Sequence, residues 1–148
     1  MKSQPYDYLK YWRVIRQYAK VKYELNQADL DMLLFLYSEK YFDTSRFQEF
    51  NELLSWDKSR FGSLKRRGWI EVFRKRMGTR RAIYQLSYKS MRVINTLYKK
   101  LNGEEIPVSS TQNPMFKKNV PYTDKVYRNM IKDMNAFIKQ EQYRVPEE

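Results

Sequence analysis

Between residues 55 and 81 the chain reads SWDKSRFGSLKRRGWIEVFRKRMGTRR, with ten basic side chains and two acidic ones. That local excess is most of the formal +12 carried by the 148 residues. Cations at such density bind phosphate or another polyanion; they do not make an acid–base pair or a nucleophile. Histidine and cysteine are absent. Their absence removes thiolate and imidazole metal sites, disulfides, Ser-His triads and cysteine nucleophiles. The acids are scattered without a clustered carboxylate metal motif, and the four glycines form no phosphate-cradling loop. The chemistry expected is therefore binding rather than catalysis, with no cofactor and no metal.

Composition sets the frame for that chemistry. At 42% hydrophobic and 31% charged the chain is globular, and its length suffices for a modest core. No apolar run approaches the roughly 20 residues of a membrane span, and no signal-peptide core is visible. The expectation is a cytoplasmic protein with no membrane partner. Abundant Tyr, Lys, Asn, Phe and Ile are what AT-rich codons supply, which points to a bacterial or phage source.

The elements that must position the cations follow from periodicity. Residues 6–24 alternate aromatic and basic positions at helical spacing, with Tyr8, Trp12, Ile15 and Ala19 in register. Asn26 is a good N-cap for an almost wholly apolar helix reaching Lys40, the expected core helix. Thr44 or Ser45 caps a third helix bearing Phe47, Phe50, Leu53 and Leu54. Ser55 caps a fourth, expected from about Asp57 to Arg67 with Phe61 and Leu64 as its buried seam and Gly68 as its left-handed stop. Residues 69–73 and 82–86 alternate as strands around the turn Met77-Gly78-Thr79. Ser87 caps a further helix through Leu101. Residues 102–121, rich in Pro, Ser and Thr, read as a linker. Thr123 or Asp124 caps a last amphipathic helix bearing Tyr127, Met130, Ile131, Met134, Phe137 and Ile138. The domains expected are 1–24, an N-terminal helix for dimerisation; 25–101, the binding module; 102–121, the linker; and 122–148, the C-terminal helix and tail.

Helix, central helix, short helix, basic helix, hairpin, helix is the outline of a winged helix-turn-helix, a mainly α (α+β) fold with a two-stranded wing. The stretch LKRRGWIEVFRKR…RRAIYQLS at 64–87 resembles the MarR family. Leu64, Gly68, Trp69 and Ile70 match the run that ends that family's recognition helix and opens its wing. Arg80 and Arg81 match the basic wing tip, and Leu86 with Ser87 matches the Leu-Thr pair closing the return strand. Three departures stand out. Met77-Gly78-Thr79 replaces the acid that usually precedes the wing arginine, Ser90 replaces a glycine, and the recognition helix is about one turn short. The resemblance implies a homodimer joined by its terminal helices, reading a two-fold DNA site; a small-molecule effector is known in the family but nothing in this sequence marks one.

In a helix-turn-helix the recognition helix enters the major groove, with base contacts concentrated near its N-terminus. That geometry assigns Lys58, Ser59, Arg60 and Ser63 to base edges or nearby phosphates, and Lys65, Arg66 and Arg67 to phosphates. Arg74, Lys75, Arg76, Arg80 and Arg81 surround one tight turn with only Glu71 to offset them, so double-stranded DNA is the expected neutralising partner. Tyr8, Trp12, Ile15, Tyr127, Ile131, Met134 and Ile138 are the expected dimerisation residues. The alternative is a winged-helix protein-interaction module in a phage or replication-related assembly. RNA ranks third, for want of an RNA-specific motif.

Overall fold

The structure, a computed structural model, describes residues 7–142. The expected start of the first helix at residue 6 and the expected tail after residue 142 lie outside the described residues. Among the described residues the elements are α1 (Tyr8–Lys22), α2 (Gln27–Tyr37), α3 (Thr44–Leu53), α4 (Arg60–Arg66), β1 (Ile70–Arg74), β2 (Ile83–Leu86), α5 (Tyr88–Leu101), a 3-10 turn (Pro114–Phe116) and α6 (Tyr122–Gln142). The chain forms two compact units. One joins the N-terminal segment through Leu25 to the chain from Thr96 onward; the other holds Asn26–Asn95.

In the first unit α1 and α6 run antiparallel. Tyr11 meets Phe137 with ring centroids 6.0 Å apart, while Gln17 Nε2 donates to Asp124 Oδ1 at 3.4 Å near the other end. The sequence left the apolar face of the last helix either to the N-terminal helix or to a second copy of the chain. Here Ile15, Ile131, Met134 and Ile138 are fully buried within one chain. Trp12 and Tyr127 are half-buried, and Tyr8 is exposed. Four of the seven side chains expected at a dimer surface are thus core residues of the single chain, because the two amphipathic helices cover each other's apolar stripes. Burial, and next the charge of Glu104, push the Tyr18 phenol up to about 12.

The stretch read as a linker is a packed part of this unit. Ile106 and Met115 are buried, and the Asn135 side chain brackets Ile106, accepting from its N–H at 3.0 Å and donating to its carbonyl at 2.8 Å. Asn113 caps the 3-10 turn through Met115 N–H at 3.0 Å, and Arg128 donates to the carbonyls of Met115 and Lys117. An irregular backbone can be buried when side chains satisfy its polar groups, and three polar residues do so here. Helix α6 starts at Tyr122 rather than after Thr123 or Asp124; the Pro121 carbonyl accepts from both Asp124 and Lys125 N–H.

The second unit is built on α2. Asn26 caps it through Asp29 N–H at 2.7 Å, and Leu30, Met32, Leu33 and Leu36 are buried. It ends at Tyr37, short of the expected Lys40, which has a φ of 68°. Phe42 pairs with Tyr84 as a single-residue bridge, N–H to carbonyl in both directions at 3.0 and 2.7 Å. Asp43, not Thr44 or Ser45, caps α3, accepting from Arg46 N–H at 2.9 Å. Leu53, expected on the buried face of α3, is 77% exposed at its C-terminus.

Helix α4 is terminated by a Schellman arrangement. Trp69 N–H reaches the Leu64 carbonyl at 2.9 Å and Gly68 N–H reaches that of Lys65 at 3.1 Å, with Gly68 at φ 82°. Strands β1 and β2 pair antiparallel with Ile70 opposite Leu86 and Val72 opposite Tyr84, and a bulge follows at Phe73. Ser87 and Ser90 fasten the base of this hairpin to α5: Ser87 Oγ donates to the Gly68 carbonyl and Ser90 Oγ to that of Trp69, both at 2.6 Å. This is a winged helix-turn-helix. Among the described residues, no helix is long and apolar enough to cross a membrane.

Candidate nucleic-acid interface

Helix α4 is shorter than its sequence implies, for a local reason. Asp57 accepts from both the hydroxyl and the N–H of Ser59, at 2.7 and 2.9 Å, so residues 57–59 form a turn and the helix begins at Arg60. Those two bonds, the hydroxyl foremost, hold the Asp57 carboxyl below the ordinary carboxylate range. Phe61 then packs edge-on between Phe47 of α3 and Tyr84 of β2, with centroids 5.0 and 4.9 Å away. Leu64 is buried completely. Aromatic contacts of this kind fix helix α4 against both α3 and the wing.

Arg60 does not stand on the surface. It is 2% exposed, and its guanidinium meets Asp29 Oδ1 at 3.3 Å, the Ser55 carbonyl at 2.7 Å, Ser55 Oγ at 3.0 Å and the side-chain oxygen of Asn51. Asn51, itself buried, donates to the Asp57 carbonyl at 3.1 Å. The expected base-reading arginine is therefore the internal tie that holds α4 to α2 and α3. Such a cation needs nearly all its donors satisfied to be buried at all, and these acceptors supply that. Arg67 shares the same carboxylate, its Nη2 lying 2.9 Å from Asp29 Oδ2, and its Nε donates to Ser63 Oγ at 3.2 Å. Asp29 and Asp31 have Asp-x-Asp spacing, but on a helix such neighbours diverge, and Asp29 is committed to two arginines. No group of acids that could hold a metal ion occurs among the described residues.

The remaining α4 assignments fall differently. Lys58, Lys65 and Arg66 are exposed, Ser59 is exposed with its hydroxyl engaged by Asp57, and Ser63 is half-buried. Lys65 Nζ lies 5.5 Å from the Tyr84 ring centroid. Sequence reasoning passed over Lys89, which donates to the Arg67 carbonyl at 3.0 Å and lies 4.0 Å from the Trp69 ring centroid. It supplies a cation at the C-terminal end of α4.

The outer part of the wing is solvated, with residues 71–81 all exposed, while Ile70 and Leu86 at its base are buried. Its tip is a two-residue turn closed by Met77 and Arg80, whose N–H groups and carbonyls bond reciprocally at 3.1 and 2.9 Å; Gly78 supplies the φ of 59°. Glu71, the acid nearest in sequence, accepts from Gln85 Nε2 at 2.8 Å across the strands. Among the described residues no acid forms an ion pair with Arg74, Lys75, Arg76 or Arg80. Arg81 is the exception: its guanidinium donates to Ser45 Oγ and lies 3.9 Å from Asp43 Oδ2. An acid absent from the wing sequence is thus replaced by one from the N-cap of α3. Phe73, 54% exposed, packs tilted against Tyr41 with ring centroids 4.3 Å apart and steadies the bulged strand.

No family model matches the chain, and no curated protein matches it. Among solved structures it is similar to the crystal structure of a cysteine-to-serine mutant of MarR from E. coli complexed with operator DNA, with 14% identity, 84% of each chain covered and a TM-score of 0.45.

With or without a relative, the geometry has a plain electrostatic consequence. Five exposed cations surround one hairpin, and among the described residues Asp43 is the one acid in an ion pair with any of them. The basic residues of α4 are divided between a buried tie and an exposed set. Around α4 and the wing, the exposed Lys58, Lys65, Arg66, Arg74, Lys75, Arg76 and Arg80 have no ion pair among the described residues, and the exposed Arg81 has one.

Proposed function

We propose that the protein binds duplex DNA as a winged-helix transcriptional regulator, with the recognition helix at the major groove and the wing on adjacent phosphates or the minor groove. The observation that carries this reading is the wing: an exposed hairpin whose Arg74, Lys75, Arg76 and Arg80 have no acidic partner among the described residues. Like charges at such spacing repel, and a polyanion relieves that repulsion. Base contacts fall to Lys58 and Ser63, with Lys65, Arg66 and the wing cations on phosphates. Arg60 acts indirectly by fixing the angle of α4.

A two-fold, cytoplasmic assembly is part of the same proposal. Its contact surface would use Tyr8, Trp12 and Tyr127 together with exposed Leu9, Tyr122 and Val126, because Ile15, Ile131, Met134 and Ile138 are already covered. Sedimentation of the purified protein tests this part; a monomer at tens of micromolar would remove it.

Fluorescence anisotropy with random-sequence duplex DNA, titrated from about 50 to 300 mM salt, tests the DNA reading. Tight binding at low salt that weakens steeply, with a slope of about −0.9 per phosphate neutralised, is the expected result. Absence of binding at the lowest salt would overturn it and direct attention to a protein partner.

A further inference from the structure

The five wing cations are not equivalent. Between the wing and the start of α3 lies a cleft of about 360 Å³ whose lining includes Thr44, Arg76, Thr79 and Arg81. Two of those side chains are held in place. Arg81 is anchored by Ser45 Oγ, and Arg76 Nε donates to the Gly78 carbonyl at 3.2 Å. Arg74, Lys75 and Arg80 have no comparable anchor among the described residues. Building on the DNA-binding reading above, we propose that this cleft is a discrete seat for one phosphate of the DNA backbone, gripped by Arg76 and Arg81 with the hydroxyls of Thr44 and Thr79, while the other three cations act as an unlocalised positive field.

The chemistry fits the donors. A guanidinium presents a planar fork matched to two phosphate oxygens, and holding it beforehand lowers the entropy lost on binding. Two threonine hydroxyls can reach the remaining oxygens. The volume leaves room for a phosphate with several waters, each of which takes roughly 30 Å³. Asp43 sets the seat's strength. One oxygen caps α3 at Arg46 N–H, 2.9 Å away, and the other lies 3.9 Å from Arg81, partly offsetting its charge when the seat is empty. Asparagine caps a helix as well as aspartate does, so Asp43→Asn keeps the helix start and removes only the competing charge.

Two measurements test this. In an NMR titration of the wild-type protein with inorganic phosphate, amide shifts are expected to concentrate at Thr44, Thr79 and Ala82; shifts spread evenly along the wing would overturn the seat. In anisotropy with random-sequence duplex DNA, Asp43→Asn is expected to bind about threefold tighter, and Arg81→Gln about tenfold weaker than wild type. Arg80→Gln, which removes the same charge outside the cleft, is expected to weaken binding clearly less than Arg81→Gln. Equal losses for the two arginines, with wild type binding DNA, would sink the seat and leave the DNA-binding reading standing. Phosphate shifts at the cleft without any DNA binding would do the reverse, showing an anion site that serves free phosphate.

Discussion

Helix α4 with its flanking residues carries as many cations as the wing, but the fold disposes of them in opposite ways. In the helix and its flanks, Arg60 is buried and Arg67 is tied to the same carboxylate, so two of five charges hold the protein together. In the wing, among the described residues, only Arg81 lies within ion-pair distance of an acid, and it is still 66% exposed. A buried arginine contributes to stability through acceptors that must all be present; an exposed one contributes to binding and almost nothing to folding. The difference teaches that a run of basic residues is two populations, divided by what lies on neighbouring elements.

Substitutions can break that division, and the largest effect belongs to the buried tie. Arg60→Ala leaves Asp29 and Asn51 with unmet hydrogen bonds inside the second unit. A loss of about 3–5 kcal/mol is expected in denaturant unfolding followed by tryptophan fluorescence. DNA binding should fall with it, since α4 loses its anchor. A loss under about 0.5 kcal/mol, the range of ordinary surface changes, would return Arg60 to the surface set.

The converse substitution, Arg74, Lys75 and Arg80 all to Ala, should leave the unfolding midpoint almost unmoved. The slope of log K against log salt should flatten by about 0.9 for each phosphate no longer neutralised, roughly 3 for the triple. An unchanged slope would take the wing tip out of the interface.

Gly68→Ala probes the joint between the two regions. The added methyl would meet no atom within 4 Å, so the cost is the left-handed backbone alone, about 1–2 kcal/mol. A neutral result would mean that the joint relaxes and that helix and wing are not rigidly coupled.

The smallest effect lies in the first unit and serves as a control. The Tyr18 phenol is raised in the folded chain, so its neutral form is favoured there. Its contribution is complete below the ordinary tyrosine value of about 10 and is lost as pH rises towards about 12. Alkaline titration should show stability falling across that window in wild type and falling less in Tyr18→Phe. The same slope in both would assign the alkaline loss to other groups.

Much of the winged helix is legible in the order of residues. Asn26 as a cap, Gly68 as a left-handed stop, the hairpin around Gly78 and Ser87 as the start of α5 each depend on neighbours within about five residues, which a sequence displays directly. The two largest misreadings share a cause. Arg60 looks like any cation near a helix start until Asp29, 31 residues away, and Asn51 are placed beside it. A faint signal existed: Asp29 is an acid at the head of an otherwise apolar helix, and Asn51 interrupts the apolar positions of α3. The segment from 102 to 121 looked like a linker because its packing depends on Asn135 and Arg128, both from α6.

The sequence alone determined the order of the helices and strands, the cap at Asn26 and the stop at Gly68, the site of the hairpin and the local concentration of positive charge, because these are set by short-range backbone preferences and by composition. The tertiary structure alone decided which arginines are withdrawn from solvent, that Asp43 rather than a wing residue faces Arg81, and that the last helix is covered within its own chain. Those outcomes depend on distances between residues far apart in the chain, and burial and charge pairing act through space.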